Sequence, residues 1–394
     1  MYLIREFILR MTKKEKKTKK ELKFINYRVY ITIISILAFC LIAINAMYRI
    51  SPVFAQTYCT TAFTYFVHVI GGINALLPFS LAEILLGAAV ILVLYCIIRL
   101  IVTIIRHHKP ATIYFFKYRL IKYLLNLACI ILVCSIIYSL NCGILYKRLS
   151  FAVCSNMHVK DRSTEELIEL CNILIDDANR LSGEIKTDED GLFTADGIDV
   201  REDTVTAMLS LEDEYPFLPD FYPKAKPVIF DKILSYCGIT GYYSPFTLEA
   251  NYNDAVPDVE MLFTVCHELA HTAGFIHEDE ASFIAYRACM NSGSPEYMYS
   301  GTIIALIDTM NACFEVLPAD EYHKLISGLD EQPAHDINNQ SVFWSQYDDS
   351  ESDKPSVSDV AENLNNAYIQ ANGDKEGTGR YGMVVDLLLA YYFN

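Results

Sequence analysis

Residues 267–271 read HELAH. On a helix the two histidines are four apart, project from one face and can share one metal ion. Glu268 stands beside the first of them as a spare carboxylate, able to take a proton from water that a metal has acidified. Imidazole donors with an adjacent carboxylate suit zinc-dependent hydrolysis. His267 and His271 are therefore candidate ligands, Glu268 the candidate catalytic base and Zn²⁺ the expected cofactor. The next nine residues offer three third ligands: His277, Glu278 and Glu280. His267, His271, Gly274 and His277 fit H-E-x-x-H-x-x-G-x-x-H, in which a glycine turns the chain so that a third histidine meets the metal. Against this, EDEASFIAY (278–286) reads as a second helix that delivers a carboxylate, with Glu280, Phe283 and Ile284 on one face and Ala281 and Ala285 allowing close approach.

These residues need rigid carriers. Val259, Leu262, Phe263 and Cys266 precede the motif at helical spacing, Leu269 and Ala270 continue the buried side, and Gly274 ends the helix. The pattern predicts helices over 163–181, opened by a Ser163–Glu166 capping box, and over 256–274, 279–291, 296–315, 319–328, 338–347, 356–371 and 380–393. Residues 227–253 are β-branched, aromatic and punctuated by Gly and Pro, which predicts two or three short strands. Residues 348–356 read as a polar linker.

The N-terminal third is of another kind. Residues 29–47 carry no charge, 80–105 carry only Glu83 and Arg99, and 123–146 carry none. A helix needs about 20 apolar residues to cross a bilayer, so three transmembrane helices are expected, about 29–47, 80–105 and 123–146, with the lipid bilayer as partner. Residues 1–28 hold ten Lys or Arg, and 106–122 hold five. Basic flanks stay cytoplasmic, which puts the N-terminus inside and everything after about 147 outside. Lys147 and Arg148 count against this orientation. Three domains follow: a basic cytoplasmic tail (1–28), a membrane region (29–147) and an extracytoplasmic metallopeptidase-like domain (148–394). Residues 48–79, aromatic and nearly uncharged, read either as a stretch at the outer membrane face or as a packed loop under the outer domain.

Charge divides at the same boundary. Residues 151–394 hold 13 Lys or Arg against 44 Asp or Glu, a formal charge of −31. Such a surface repels phosphate backbones, so nucleic acid is excluded as a partner. The twelve cysteines show no CxxC and no regular spacing, and no disulfide framework is predicted.

GYYSPFTLEAN (241–251), HELAH, Gly274-Phe275 and EDEASF (278–283), with PFSLAE (78–83) and YGMVVDLLLAYY (381–392), resemble the bacterial membrane family called domain of unknown function 3810. The resemblance covers most of the chain from about residue 30. It departs at Ser282, where the family has Asn. It implies membrane helices followed by a peptidase-like domain of glutamate-zincin type, and it favours Glu280 over His277 as third ligand. It implies no substrate.

The expected fold class is a mainly α membrane protein: three N-terminal transmembrane helices, then a mostly helical zincin-like domain with a small β-sheet. The expected function is a membrane-anchored zinc metallopeptidase that hydrolyses peptides or proteins outside the cytoplasmic membrane. An extended substrate needs an edge strand, for which Pro245, Phe246, Thr247, Glu249 and Asn251 are candidates. A donor to the developing oxyanion is sought among Tyr286, Tyr299, His323 and Tyr381. The rival function is a non-catalytic membrane protein with a structural zinc and a partner-binding acidic domain. Intramembrane proteolysis is disfavoured, because HELAH lies some 120 residues beyond the last span, amid charged sequence.

Overall fold

A computed structural model of the protein describes residues 27–106, 110–160, 162–347 and 383–393, with a few positions between 361 and 367. The basic stretch 1–26, the linker 348–356 and most of the helix expected over 356–371 lie outside the described residues. The chain divides into two compact units, one formed by residues up to 47 with 84–140, the other by 48–83 with everything from 141.

The first unit is built on α1 (Tyr27–Ile50), α3 (Leu81–Arg106) and α4 (Pro110–Tyr138). Three segments, Tyr27–Ile50, Leu81–Arg99 and Leu120–Gly143, are long and apolar enough to cross a membrane. Their large apolar side chains point outward, Phe39 at 72% exposure and Ile91 at 68%. That is the reverse of a water-soluble helix and suits a lipid surroundings. Polar groups meet inside the unit: Tyr30 donates to Asn126 at 2.7 Å and Asn45 to Ser139 at 3.3 Å.

The second unit is mainly helical. Its helices are α2 (Pro52–Tyr58), α5 (Thr164–Ser182), α6 (Val200–Leu209), α7 (Asp231–Tyr236), α8 (Asp258–Thr272), α9 (Glu278–Asn291), α10 (Pro295–Val316), α11 (Ala319–Ile326), α12 (Glu331–Ser345) and α13 (Met383–Tyr392). The capping box of α5 is formed, Ser163 and Glu166 each accepting the other's backbone N–H. α9 is buried without interruption from Asp279 to Cys289, which makes it the axis on which α8, α10 and α13 pack.

The stretch 48–83 belongs to this unit. After α2 it runs on through two π-helical turns to Ala75, and Ala55, Cys59, Phe63, Val67 and Gly71 are buried. A repeat of four drifts about 40° per step on a 3.6-residue helix. The wider π turns take up that drift and keep the stripe on one face. The stretch is thus a helix, not a loop, packed along one face, with Val53, Tyr65, Ile73 and Leu76 exposed on the rest.

Three short strands form one sheet in the order β1 (Lys226–Pro227), β3 (Glu249–Tyr252), β2 (Gly241–Ser244). β1 runs parallel to β3 and β2 antiparallel, with Gly241 opposite Tyr252 and Ser244 opposite Glu249. The sheet also receives the start of α3. Glu249, ion-paired to the buried Lys226, accepts the backbone N–H groups of Leu81 and Ala82 at 3.2 and 2.9 Å. Glu83 in turn accepts those of Ile229 and Phe230. A carboxylate at a helix N-terminus satisfies orphan donors and complements the helix dipole. PFSLAE is thus the joint that ties the first turn of α3 to the strands.

Candidate metal centre

α8 carries His267 and His271 on its cleft-facing side, and Gly274 ends it. With φ +87° Gly274 takes the left-handed conformation, and the Phe275 N–H returns to the Ala270 carbonyl at 3.3 Å. The chain reverses, and α9 begins at Glu278, with its first turn against the histidines.

The two imidazoles lie with ring centroids 4.7 Å apart and nearly perpendicular. His271 Nδ1 donates to the Phe275 carbonyl at 2.7 Å, and His267 Nδ1 lies 3.1 Å from Ser282 Oγ. Each outer nitrogen is thereby held and each Nε2 is aimed inward, the usual role of such partners around a metal-binding histidine. Between the two Nε2 atoms sits a Glu278 oxygen, 3.0 Å from His267 and 3.7 Å from His271.

Glu280 is the third ligand favoured by the sequence resemblance, and the structure does not bring it to the histidines. Its Oε1 accepts the Phe151 N–H at 2.7 Å, on the far side of α9. Two residues are about 200° of helix, so Glu278 and Glu280 cannot face the same way. Ser282, one turn after Glu278, shares the cleft side and confirms the phase. His277 precedes the helix and packs edge-on against Tyr146, ring centroids 5.3 Å apart.

Glu268 is 5% exposed and its Oε2 has no hydrogen-bond partner among the described residues. Burial pushes its carboxyl up to about 8. Burial also opposes charge on His271, but the carboxylates of Glu278 and Glu268 outweigh it and push that imidazole up to about 9. Burial holds His267 below the usual imidazole range, while the two imidazoles hold Glu278 well below the usual carboxylate range despite its own burial.

Ligand atoms of His267, Glu268 and His271 lie within 4.8 Å of one another. Two ligands held at about 2.0–2.1 Å by one tetrahedral zinc stand about 3.3 Å apart. The 3.0 and 3.7 Å separations of Glu278 from the two Nε2 atoms bracket that value. Two imidazole nitrogens, one carboxylate oxygen and a second, unpartnered buried carboxylate are a donor set that fits a zinc ion. Glu278 contacts both Nε2 atoms, which makes it the better third ligand, and Glu268 stays beside the set.

The centre opens into a cleft of about 790 Å³. β2 forms one rim through Gly241, Tyr242 and Tyr243. The expected substrate strand is corrected here. Glu249 and Asn251 belong to β3, the central strand, whose two edges are taken by β1 and β2. Pro245, Phe246 and Thr247 form the turn between β2 and β3, where the Thr247 hydroxyl donates to Ser244, and Pro245 lines the cleft. β2 is the strand whose outer edge faces away from β3. Pairing order is a long-range property, which the local pattern of 245–251 does not encode.

The expected oxyanion donors are also displaced. Tyr286 pairs with Tyr392 (2.6 Å between hydroxyls) and Tyr299 donates to Asp336 at 2.6 Å, both in the core. His323 is exposed on α11, and Tyr381 lies outside the described residues. The tyrosines lining the cleft are Tyr146, Tyr242 and Tyr243. No local signal set them apart among 27 tyrosines.

Gly241 packs directly on the glutamate. A Cβ there would stand 2.8 Å from Glu268 Cγ and 2.9 Å from the Asn251 carbonyl. Gly241→Ala is expected to destabilise the protein by about 1–3 kcal/mol through overpacking. Thermal unfolding of the purified chain should show a midpoint several degrees lower. An unchanged midpoint would mean that β2 does not sit this close to α8.

A family described as "Protein of unknown function (DUF3810)" matches residues 58–389. No curated protein and no solved structure matches the chain.

Proposed function

The chain belongs to the DUF3810 family, and we propose that it is a membrane-anchored zinc-dependent peptidase acting outside the cytoplasmic membrane. The observation that carries this reading is the convergence of His267, His271 and Glu278 beside a buried, unpartnered Glu268 in an open cleft. His267, His271 and Glu278 would hold the ion. When bound, zinc supplies a Lewis acid and lowers the pKa of water.

The chain's own residues do the rest. Ser282 and the Phe275 carbonyl fix the imidazole orientations. Glu268 receives the proton of the attacking water and returns it to the leaving amine, which is general acid–base work by one carboxylate. It packs against Gly241 and lines the cleft. The outer edge of β2 offers backbone groups to an extended peptide. The basic N-terminal stretch and the acidic remainder of the chain support a cytoplasmic N-terminus and an outer site.

A purely structural zinc is disfavoured, since such sites close with four protein ligands and need no base. The test is zinc content and turnover on one preparation. Full-length protein in detergent should carry about one zinc per chain and cleave members of a broad peptide library. Chelation should abolish cleavage, and added Zn²⁺ should restore it. Zinc-loaded, folded protein that cleaves no peptide would remove the proposal.

A further inference from the structure

The cleft does not end at the histidines. Glu260, Phe263, Thr264, His267 and His271 all line it from one face of α8. Glu260 stands seven residues before His267, about 10 Å along the helix axis. Opposite, α10 contributes Ile304, Ile307 and Asp308. This end of the cleft is therefore an apolar channel with two carboxylates set into it.

Among the described residues neither carboxylate has a cationic partner. Glu260 is 9% exposed and its described partners are neutral donors, the Trp344 indole N–H at 2.9 and 3.3 Å and the Gln340 side chain. Asp308 is partly buried, and among the described residues it has no hydrogen-bond or ion-pair partner. No lysine or arginine is among the described residues that line the cleft. Burial pushes both carboxyls up to about 7, opposed at Glu260 only by the neutral Trp344 and Gln340 donors. Elsewhere the same unit pairs its deeply buried acid Glu249 with Lys226. Burying an acid without a cation costs free energy, and a cationic ligand would offset that cost here.

We infer that this end of the cleft is a subsite for a cationic side chain of the substrate, a lysine or arginine of an extended peptide. The inference rests on the peptidase reading and deepens it. The apolar walls of Phe263, Ile304 and Ile307 suit the methylene stem of such a residue, and the two carboxylates take its charged end. A free α-amine fits less well. An amino-terminal residue being cleaved keeps its amine close to the metal centre, whereas Glu260 is about 10 Å away along α8. A long side chain from a residue next to the scissile bond spans that gap.

The test uses full-length protein in detergent and one peptide with a single position varied among lysine, arginine, norleucine and glutamate. Binding is read by fluorescence anisotropy on the Glu268→Gln variant, and cleavage on otherwise wild-type protein. At one position relative to the cut, lysine and arginine should bind about tenfold or more tightly than norleucine, as for a charge-assisted contact. Asp308→Asn, and independently Glu260→Gln, should reduce that preference while leaving norleucine-peptide binding unchanged. Two variants guard against misfolding in either one. Equal binding of lysine and norleucine peptides, a preference untouched by both variants, or no binding of any peptide would overturn the subsite. Lysine-selective binding with no cleavage by wild type would keep the subsite and remove the peptidase reading. Cleavage without selectivity would do the reverse.

Discussion

Glu268→Gln is expected to keep about one zinc per chain and to slow peptide hydrolysis by about 10²–10⁴-fold, the usual worth of a positioned general base. Gln has the same size, so it fits under Gly241, where the space is already filled. It carries no charge, so it removes a buried carboxylate whose pKa burial has raised to about 8. Folding should therefore hold or improve, and loss of turnover cannot be blamed on unfolding. What Gln lacks is the ability to take up a proton. Metal analysis and turnover on the same sample decide the matter: wild-type turnover in a zinc-loaded Gln variant would leave Glu268 without its proposed role.

The second large effect separates two glutamates that sequence alone cannot tell apart. Glu278→Gln is expected to lower zinc affinity by more than about a hundredfold, since even outer partners of metal ligands cost about 10–100-fold. Glu280→Gln should leave zinc binding close to wild type. Its Oε1 accepts the Phe151 N–H, and Gln retains an oxygen for that bond. Glu280→Ala should instead cost about 1–3 kcal/mol of stability by orphaning a buried donor. Competition with a fluorescent zinc chelator gives the affinities, and thermal unfolding the stabilities. Zinc lost in Glu280→Gln and kept in Glu278→Gln would return the site to the sequence expectation.

The expectation of Glu280 rests on the family resemblance, and helix phase decides against it. The HELAH helix was legible because its signal is local: apolar residues at helical spacing up to Cys266, then Gly274 as the stop. Expected over 256–274, it spans Asp258–Thr272. The next helix was equally legible, expected over 279–291 and found at Glu278–Asn291. One residue at its start decides which of three successive acids faces the histidines, and that start is set by the tertiary turn at Gly274. Membrane-length helices were legible from uninterrupted apolar runs. α6 (Val200–Leu209) was missed because its sequence shows little amphipathic pattern; only Thr204, Ala207 and Met208 are buried. α12 was expected from 338 and begins at Glu331, because Pro333 reads as a breaker. A proline in the first helical turn removes no needed donor. The edge position of β2, the cleft tyrosines and the Glu260–Asp308 end all depend on contacts between distant segments.

The joint between α3 and the sheet has a consequence in time. Leu81 and Ala82 reach Glu249 across 168 and 167 residues of sequence, and Asn74 reaches the Thr247 carbonyl across 173. At a synthesis rate of about 5–20 residues per second, these partners are made roughly 10 to 30 s after the stretch itself, whereas Leu149 and Cys154, which meet Gln56 across 93 and 98 residues, follow in about half that time. Until residues 145–154 and then the sheet are made, the stripe of Ala55, Cys59, Phe63 and Val67 lacks the protein surfaces that cover it in the folded unit. Assembly of the second unit is then a late event in which an early segment is claimed by strands and helices made long after it.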